Sequence, residues 1–268
     1  MTELEEVFAN PIAHRGLHDR SKGVIENSRS AFARAAKAGY AIECDLQLSG
    51  DGEAMVFHDY ELDRLTKQTG PFSRLSAGQL TRIRLTASRK GDTPMRFAEL
   101  LELIGGKVPL VVELKHQKDG RNSELARTVV ATTKNYTGPF VFKSFNPRLL
   151  ELTRSAGHAG ALGIIVDLVL ASKEHYASLS PVQRFGLRHL LHYPKSKFDF
   201  ISANHKALKQ PAVRLLRRLG FPVMTWTIGS YEVERTTRGF ADQIVFENYL
   251  PFVAKNKNLP TPNRTASR

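Results

Sequence analysis

The sequence predicts an α/β protein, a TIM (β/α)8 barrel with a small insertion after the second strand unit. Three observations predict it. Short β-type runs alternate with helical patterns along most of the 268 residues, the order that builds a parallel sheet. One pair of runs, 40–46 and 54–57, is joined only by "QLSGDGE". That link is too short for a parallel crossover and has Asp-Gly at its centre, so 54–57 reads as an antiparallel hairpin arm. Setting the arm aside leaves eight parallel strands, the number that closes such a barrel.

The elements follow in order. The first strand, 11–14, lies in "IAHRGLHD" and ends in His14-Arg15. A helix over 28–38, "SRSAFARAAKA", is entered through Asn27 or Ser28 as cap. Residues 60–96 are polar, with a weak helical pattern near 76–83. Their length marks a small excursion or lid over one barrel face. Helices over 97–104, 122–135, 146–156 and 211–219 then alternate with strands 108–114, 139–144, 160–167, 198–202, 221–227 and 242–246. Residues 1–252 form a single domain, and 253–268, rich in Pro, Asn and basic residues, form a flexible tail.

Composition narrows the class of function. Hydrophobic residues at 41 % and charged residues at 24 % describe a globular chain. No run approaches the roughly 18 apolar residues of a spanning helix. The acidic start "MTELEEVFAN" lacks an apolar core and reads as no secretory signal. A single cysteine, Cys44, excludes an intramolecular disulfide and fits a cytoplasmic location. Within its apolar run it reads as a strand packing residue. Lys and Arg total 39 against 26 acids, a net charge of +13, which suits an anionic partner. The charge is spread out, with no Arg-rich arm and no nucleic-acid motif. An anionic substrate is therefore expected, with no nucleic acid and at most peripheral membrane contact.

Catalytic groups in such a barrel sit at the C-terminal strand ends. Glu43 and Asp45 are two apart, hence on one face of their strand. Glu113 and Lys115 repeat the spacing in "VPLVVELK", and the hairpin arm ends in His58-Asp59. Three converging carboxylates stay ionised only beside strong positive charge. Lys115 supplies part of it, and a hard divalent ion, Mg²⁺ or Ca²⁺, supplies the rest. Zinc would need more His or Cys ligands. His14 and His58 provide neutral-pH acid–base chemistry, and Arg15 suits a phosphate oxygen. Gly-x-Ser-x-Gly, P-loop and Gly-x-Gly-x-x-Gly motifs are absent, so acyl transfer and redox chemistry lack their signatures.

Taken in order, "AHRG", "ENSRSAFARAAKAGY", "IECDLQLSGDGEAMVFHD" and "VELK" resemble the glycerophosphodiester phosphodiesterase family. "KSF" at 143–145, "VMTWTI" at 223–228 and "ADQIVFENYLP" extend the resemblance along nearly the whole chain. The resemblance implies a TIM barrel that hydrolyses glycerophosphodiesters to glycerol 3-phosphate and an alcohol. It implies His14 and His58 as the acid–base pair, and Glu43, Asp45 and Glu113 as ligands of the divalent metal. Arg15 would bind phosphate with help from Lys115. The chain departs from the family in having Ile25-Glu26-Asn27-Ser28 for Pro-Glu-Asn-Thr, and Gln243-Ile244-Val245-Phe246-Glu247 for Gly-Ile-Ile-Thr-Asp. A sugar or opine phosphodiester, or a lysophospholipid, is the alternative substrate. A non-catalytic phosphate- or lipid-binding barrel is the alternative class.

Several residues support the site in this reading. Glu26 either orients Arg15 or a metal-bound water, or begins a helix. Trp226 lines the substrate pocket or packs in the core. Asn27 caps a helix, Lys143 and Ser144 occupy a strand end, and His18 faces solvent. Adjacent side chains on a regular strand point apart, which argues against Asp59 holding the His58 ring.

Overall fold

The computed structural model describes residues 2–170, 174–177 and 179–253. Its sheet contains strands β1 (Ile12–Ala13), β2 (Ala41–Leu48), β3 (Ala54–Val56), β4 (Met95–Arg96), β5 (Leu110–Leu114), β6 (Phe140–Ser144), β7 (Leu162–Val166), β8 (Phe200–Asn204), β9 (Val223–Ile228) and β10 (Gln243–Phe246). Eight of them run parallel in the order β1-β10-β9-β8-β7-β6-β5-β2, and β1 pairs with β2 to close the ring. The expected barrel is therefore present. β3 pairs antiparallel with β2, as the Asp-Gly link requires, and β4 adds antiparallel to β3. Two residues are too few to show a period, so β4 left no mark in the sequence.

The helices are α1 (Glu3–Ala9), α2 (Arg29–Ala38), α3 (Ala77–Leu80), α4 (Phe97–Ile104), α5 (Asn122–Thr133), α6 (Pro147–Ser155), α7 (Glu174–Ala177), α8 (Pro181–Arg188), α9 (Tyr193–Ser196), α10 (Pro211–Arg218) and α11 (Tyr231–Thr237). Of the two candidate caps for α2, the structure uses Ser28, whose hydroxyl accepts from the Ala31 N–H. α1, α7 to α9 and α11 are additions to the sequence reading. α1 puts Val7 against the inner barrel residues Ile12, Ala41 and Val111, plugging the end remote from the strand C-termini.

Outward strand residues such as Ile42, Cys44 and Leu46 join the main core beneath the helices. Cys44 is buried there and free, and burial pushes its thiol well above the ordinary value. Inside the ring space is tight. A Cβ on Gly163 would fall 2.2 Å from the Phe200 ring, so that ring fills the barrel only because β7 carries glycine there.

The excursion between β3 and β4 is less polar inside than its composition implies. Phe57, Leu62, Leu65, Phe72, Leu80 and Ile83 form a separate small core with Ile25 and Met55. The apolar residues are too irregularly spaced for a helical or strand period, which is why the sequence showed only the pattern near 76–83. The tail expected over 253–268 lies, beyond Val253, outside the described residues. Among the described residues no helix is long and apolar enough to cross a membrane.

Candidate active site

Alternate residues of each strand face the barrel axis. The lowest inward level is apolar, with Ile12, Ala41, Val111, Val141 and Val245 packed together. Two residues further along the same strands the inward positions become His14, Glu43, Glu113, Lys143 and Glu247. Asp45 and Lys115 follow at the next step. Sheet register places Asp45 beside Glu113 and Glu113 beside Lys143. The result is a cavity of about 360 Å³ lined by His14, Arg15, Glu43, His58, Glu113, Lys115, Lys143, Phe145, Asp167, Trp226 and Thr227.

The carboxylate triad forms as expected. One oxygen each from Glu43, Asp45 and Glu113 lies within 4.8 Å of the others, and all three residues are buried. Glu43 Oε1 is 3.0 Å from Lys143 Nζ, while Oε2 accepts the Arg15 backbone N–H at 3.1 Å. Asp45 Oδ2 accepts from Asn27 Nδ2 at 2.8 Å and lies 3.4 Å from Arg15 Nε. Lys115 Nζ sits 3.4 Å from Glu113 and 3.9 Å from Asp45. Burial opposes the Asp45 charge, yet the charges of His58, Arg15 and Lys115 hold its carboxyl well below the carboxylate range. Burial likewise opposes the ammonium charges of Lys115 and Lys143. Glu113 and Asp45 overcome it for the first and Glu43 for the second, so both lysines titrate above their ordinary range.

Charge balance at the triad differs from the sequence expectation, which set Lys115 alone against three acids. Lys143 and Arg15 also reach them, so three cations face three carboxylates. Lys143 joins because β6 is in register with β5, and Arg15 because the turn after β1 folds back over β2; neither relation is local in sequence. The donor set nevertheless fits a hard divalent ion, with three buried carboxylate oxygens close enough to share one centre.

Each histidine is held by a carboxylate. His14 Nδ1 lies 2.9 Å from Glu247 Oε2, and His58 Nδ1 lies 2.6 Å from Asp59 Oδ1. The hydrogen bond from His14 and the nearby His18 ring keep the Glu247 carboxyl well below the carboxylate range. Burial raises Asp59, but its bonds from His58 and Arg64 outweigh that and hold it low too. Ionised carboxylates only accept, so Nδ1 is the donor in both pairs, and Nε2 is the ring nitrogen left to exchange a proton with substrate. The expectation about Asp59 is overturned because β3 ends at Val56: His58 and Asp59 lie past the strand, where alternation no longer applies.

The outer residues complete the picture. Glu26 begins no helix. Its Oε1 is 2.6 Å from Arg15 Nη1, and both its oxygens accept from Arg64 at 2.8 Å. Burial raises Glu26, but these guanidinium contacts dominate and bring it down to about 2. Arg64, which also bonds Asp59, carried no signal in the sequence. Asn27 is a partner of Asp45 rather than a cap. His18 is only partly exposed and approaches Glu247 at 3.7 Å, because Glu247 projects over the turn that carries it. Glu247 stood in the sequence as the end of Gln243-Ile244-Val245-Phe246-Glu247, where the family has Gly-Ile-Ile-Thr-Asp, with nothing there to link it to His14. Trp226 lines the cavity, donates from Nε1 to the Ser202 carbonyl, and meets the Phe145 ring at 5.7 Å.

Arg15 and Asn27 adopt left-handed backbone, φ 53° and 51°, which costs a residue such as Arg about 1–2 kcal/mol. The Asn27 N–H bond to the Arg15 carbonyl fixes the two turns together. Gly16 sits at φ 79°, where a Cβ would fall 2.9 Å from both the backbone carbon and the side chain of Ala31. The Asn27 bond and the close packing of Gly16 on Ala31 hold this strained turn, and with it Arg15, over the triad.

Fold and mouth together define a class, a (β/α)8 hydrolase with a carboxylate triad flanked by two carboxylate-held histidines. The glycerophosphoryl diester phosphodiesterase family model matches residues 14–246. A glycerophosphodiester phosphodiesterase of Caldanaerobacter subterraneus subsp. tengcongensis is 32 % identical over 252 residues, covering 88 % of this chain and 93 % of the relative. The fold is shared with an Oleispira antarctica phosphodiesterase solved in complex with its product sn-glycerol-3-phosphate (TM-score 0.75, 21 % identity, 92 % and 95 % of the two chains). It is also shared with the glycerophosphodiester phosphodiesterase of Thermotoga maritima (TM-score 0.64, 22 % identity, 88 % and 92 % of the two chains). This chain belongs to the glycerophosphodiester phosphodiesterase family.

Proposed function

We propose that this chain hydrolyses glycerophosphodiesters to glycerol 3-phosphate and an alcohol, using a divalent metal, Mg²⁺ or Ca²⁺, held by Glu43, Asp45 and Glu113. The observation that carries the reading is the convergence of that triad with two oriented imidazoles on one cavity. A bound divalent ion supplies Lewis-acid stabilisation of phosphoryl oxygen charge. Since Arg15, Lys115 and Lys143 already balance the triad, such an ion leaves the cavity with net positive charge. That suits a diester monoanion and, still better, its dianionic transition state.

Arg15 Nε is buried without a hydrogen-bond partner, which supports its role at a phosphate oxygen, with Lys115 beside it. Glu26 and Arg64 hold the Arg15 head group in place. His14 Nε2 takes the proton of the attacking hydroxyl, either of water or of the glycerol 2-hydroxyl through a cyclic phosphate. His58 protonates the departing alcohol. Its side chain is 31 % exposed against 15 % for His14, as suits a group at the exit. Trp226 and Phe145 form the aromatic wall against which the substrate lies.

Residues 1–252 would act as one catalytic domain, with 60–96 covering the mouth; the reach of Arg64 from the excursion to Glu26 and Asp59 supports this. We place the reaction in the cytoplasm, which the single, buried, free thiol of Cys44 suits. The substrate is a small molecule, with no nucleic acid and at most peripheral contact with membrane.

The test is release of glycerol 3-phosphate from a panel of glycerophosphodiesters, glycerophosphocholine first. EDTA should abolish it, Mg²⁺ or Ca²⁺ should restore it, and Glu43→Gln should sharply weaken metal binding measured by calorimetry. Full activity in metal-free enzyme would overturn the metal assignment, and no turnover of any panel member would overturn the substrate class.

A further inference from the structure

The positive charge, spread out when read along the chain, is concentrated on one flank. Residues 181–219 hold nine Lys or Arg against one acid, Asp199, a net +8 of the whole chain's +13. Asp199 is itself bonded to Arg154. The same stretch carries unusual apolar exposure. Among the described residues it contains six of the eleven exposed large hydrophobic side chains. Val182 is 80 % exposed, Phe185 58 %, Leu191 60 % and Leu219 67 %; Tyr193 and Leu215 complete the six. Scattered single apolar residues on a surface need no explanation, but a cluster within a basic field does.

α8 is tied to the segment leading into α9 by the Leu191 N–H, which donates to the Gly186 carbonyl. α8 presents Val182 and Phe185, three apart and so on one helix face. The Tyr193 ring on α9 meets the Phe221 ring edge-on at 5.5 Å, and Phe221 is two residues past Leu219 at the foot of α10. The inner side of the same segment adjoins the catalytic mouth. Leu187 and Leu190 line a small void together with Phe145 and Asp167, and those two residues also line the site cavity.

We propose that this flank, from α8 to α10, docks the protein on an anionic lipid bilayer. Its apolar side chains enter the headgroup–acyl boundary, and its Lys and Arg side chains meet lipid phosphates. Charge complementarity fixes the sign of the partner. The apolar cluster separates a bilayer from a nucleic acid, whose phosphate backbone would take the charges and leave Val182 and Phe185 in water. Docking in this manner brings the mouth next to the membrane surface.

The experiment is vesicle co-sedimentation of the full chain, with phosphatidylcholine alone and with added phosphatidylglycerol, at several salt concentrations. The protein should bind the anionic vesicles, ignore the neutral ones, and bind less as salt rises. The double variant Arg214→Glu with Arg218→Glu should bind at least tenfold more weakly, on about fivefold for each charge removed. The double variant Val182→Ser with Phe185→Ser should lose severalfold while keeping the same salt dependence. Thermal melting checks that both variants fold, and the comparison of vesicle compositions needs no variant. Failure of the wild type to sediment with anionic vesicles would overturn the proposal. So would equal binding by all variants, or binding to duplex DNA, unaffected by Val182→Ser and Phe185→Ser, in place of vesicles.

Discussion

His14 and His58 are built alike and placed differently. Each donates from Nδ1 to an ionised carboxylate, Glu247 or Asp59, which fixes the orientation of the ring and leaves Nε2 to face the substrate. Their tasks should separate by leaving group. An alkyl diester releases an alcohol that needs a proton from a general acid. A p-nitrophenyl group, with a pKa of roughly 7, leaves without one. His58→Ala should therefore lose on the order of 10²–10⁴-fold in kcat/KM on an alkyl diester and far less on a p-nitrophenyl diester. His14→Ala should lose heavily on both. Asp59→Asn should show the His58 pattern in weaker form, since it acts through that ring. Metal occupancy is checked in each variant; the reverse pattern would exchange the two roles, and equal losses would deny either His a dedicated acid function.

At the scale of elements, the excursion between β3 and β4 connects packing to chemistry. Leu62 and Leu65 are 1 % exposed in the small core, and Arg64 stands between them in sequence while its head group reaches Glu26 and Asp59. The small core thus positions the guanidinium that steadies Arg15 on one side and the His58 carboxylate on the other. Leu80, fully buried in α3, belongs to the same small core. Leu80→Ala should cost about 3 kcal/mol of stability and should also lower kcat/KM, because the excursion loosens around Arg64. Urea unfolding and steady-state kinetics check the two effects; a stability loss with unchanged kinetics would reduce the excursion to a structural cover.

Across the whole molecule, several site carboxylates are held ionised by fixed partners, and stability should depend on acid pH accordingly. Glu26 is brought down from 4.5 to about 2, and Asp59, Glu247 and Asp45 shift in the same direction. A folded-state pKa below the unfolded one means that the unfolded chain binds more protons in acid. The stabilisation is complete above about pH 4.5 and is lost as pH falls towards 2. For Glu26 alone the loss is of order 3 kcal/mol, from about 1.4 kcal/mol per pKa unit. Denaturation midpoints between pH 5 and pH 2.5, measured in EDTA so that metal release adds nothing, should fall steeply for the wild type. They should fall less for Glu26→Gln, and parallel curves would show that Glu26 has no such linkage.

What the sequence by itself determined follows from its local rules. Strand and helix periods, the Asp-Gly hairpin link and the count of eight settled the barrel. The two-residue spacings Glu43–Asp45 and Glu113–Lys115 put those side chains on the inward faces of their strands, and the order of motifs pointed to the family. What tertiary structure alone decided are the partnerships between distant residues. Lys143 faces Glu43 through the register of β6 on β5 and β5 on β2. Glu247 reaches His14 only because β10 closes the ring on β1. Asp59 turns to His58 because the strand stops two residues earlier, and Arg64 arrives from an excursion whose small core has no sequence period. Periodicity shows which face of an element a residue occupies, but ring closure and register determine which other faces it meets.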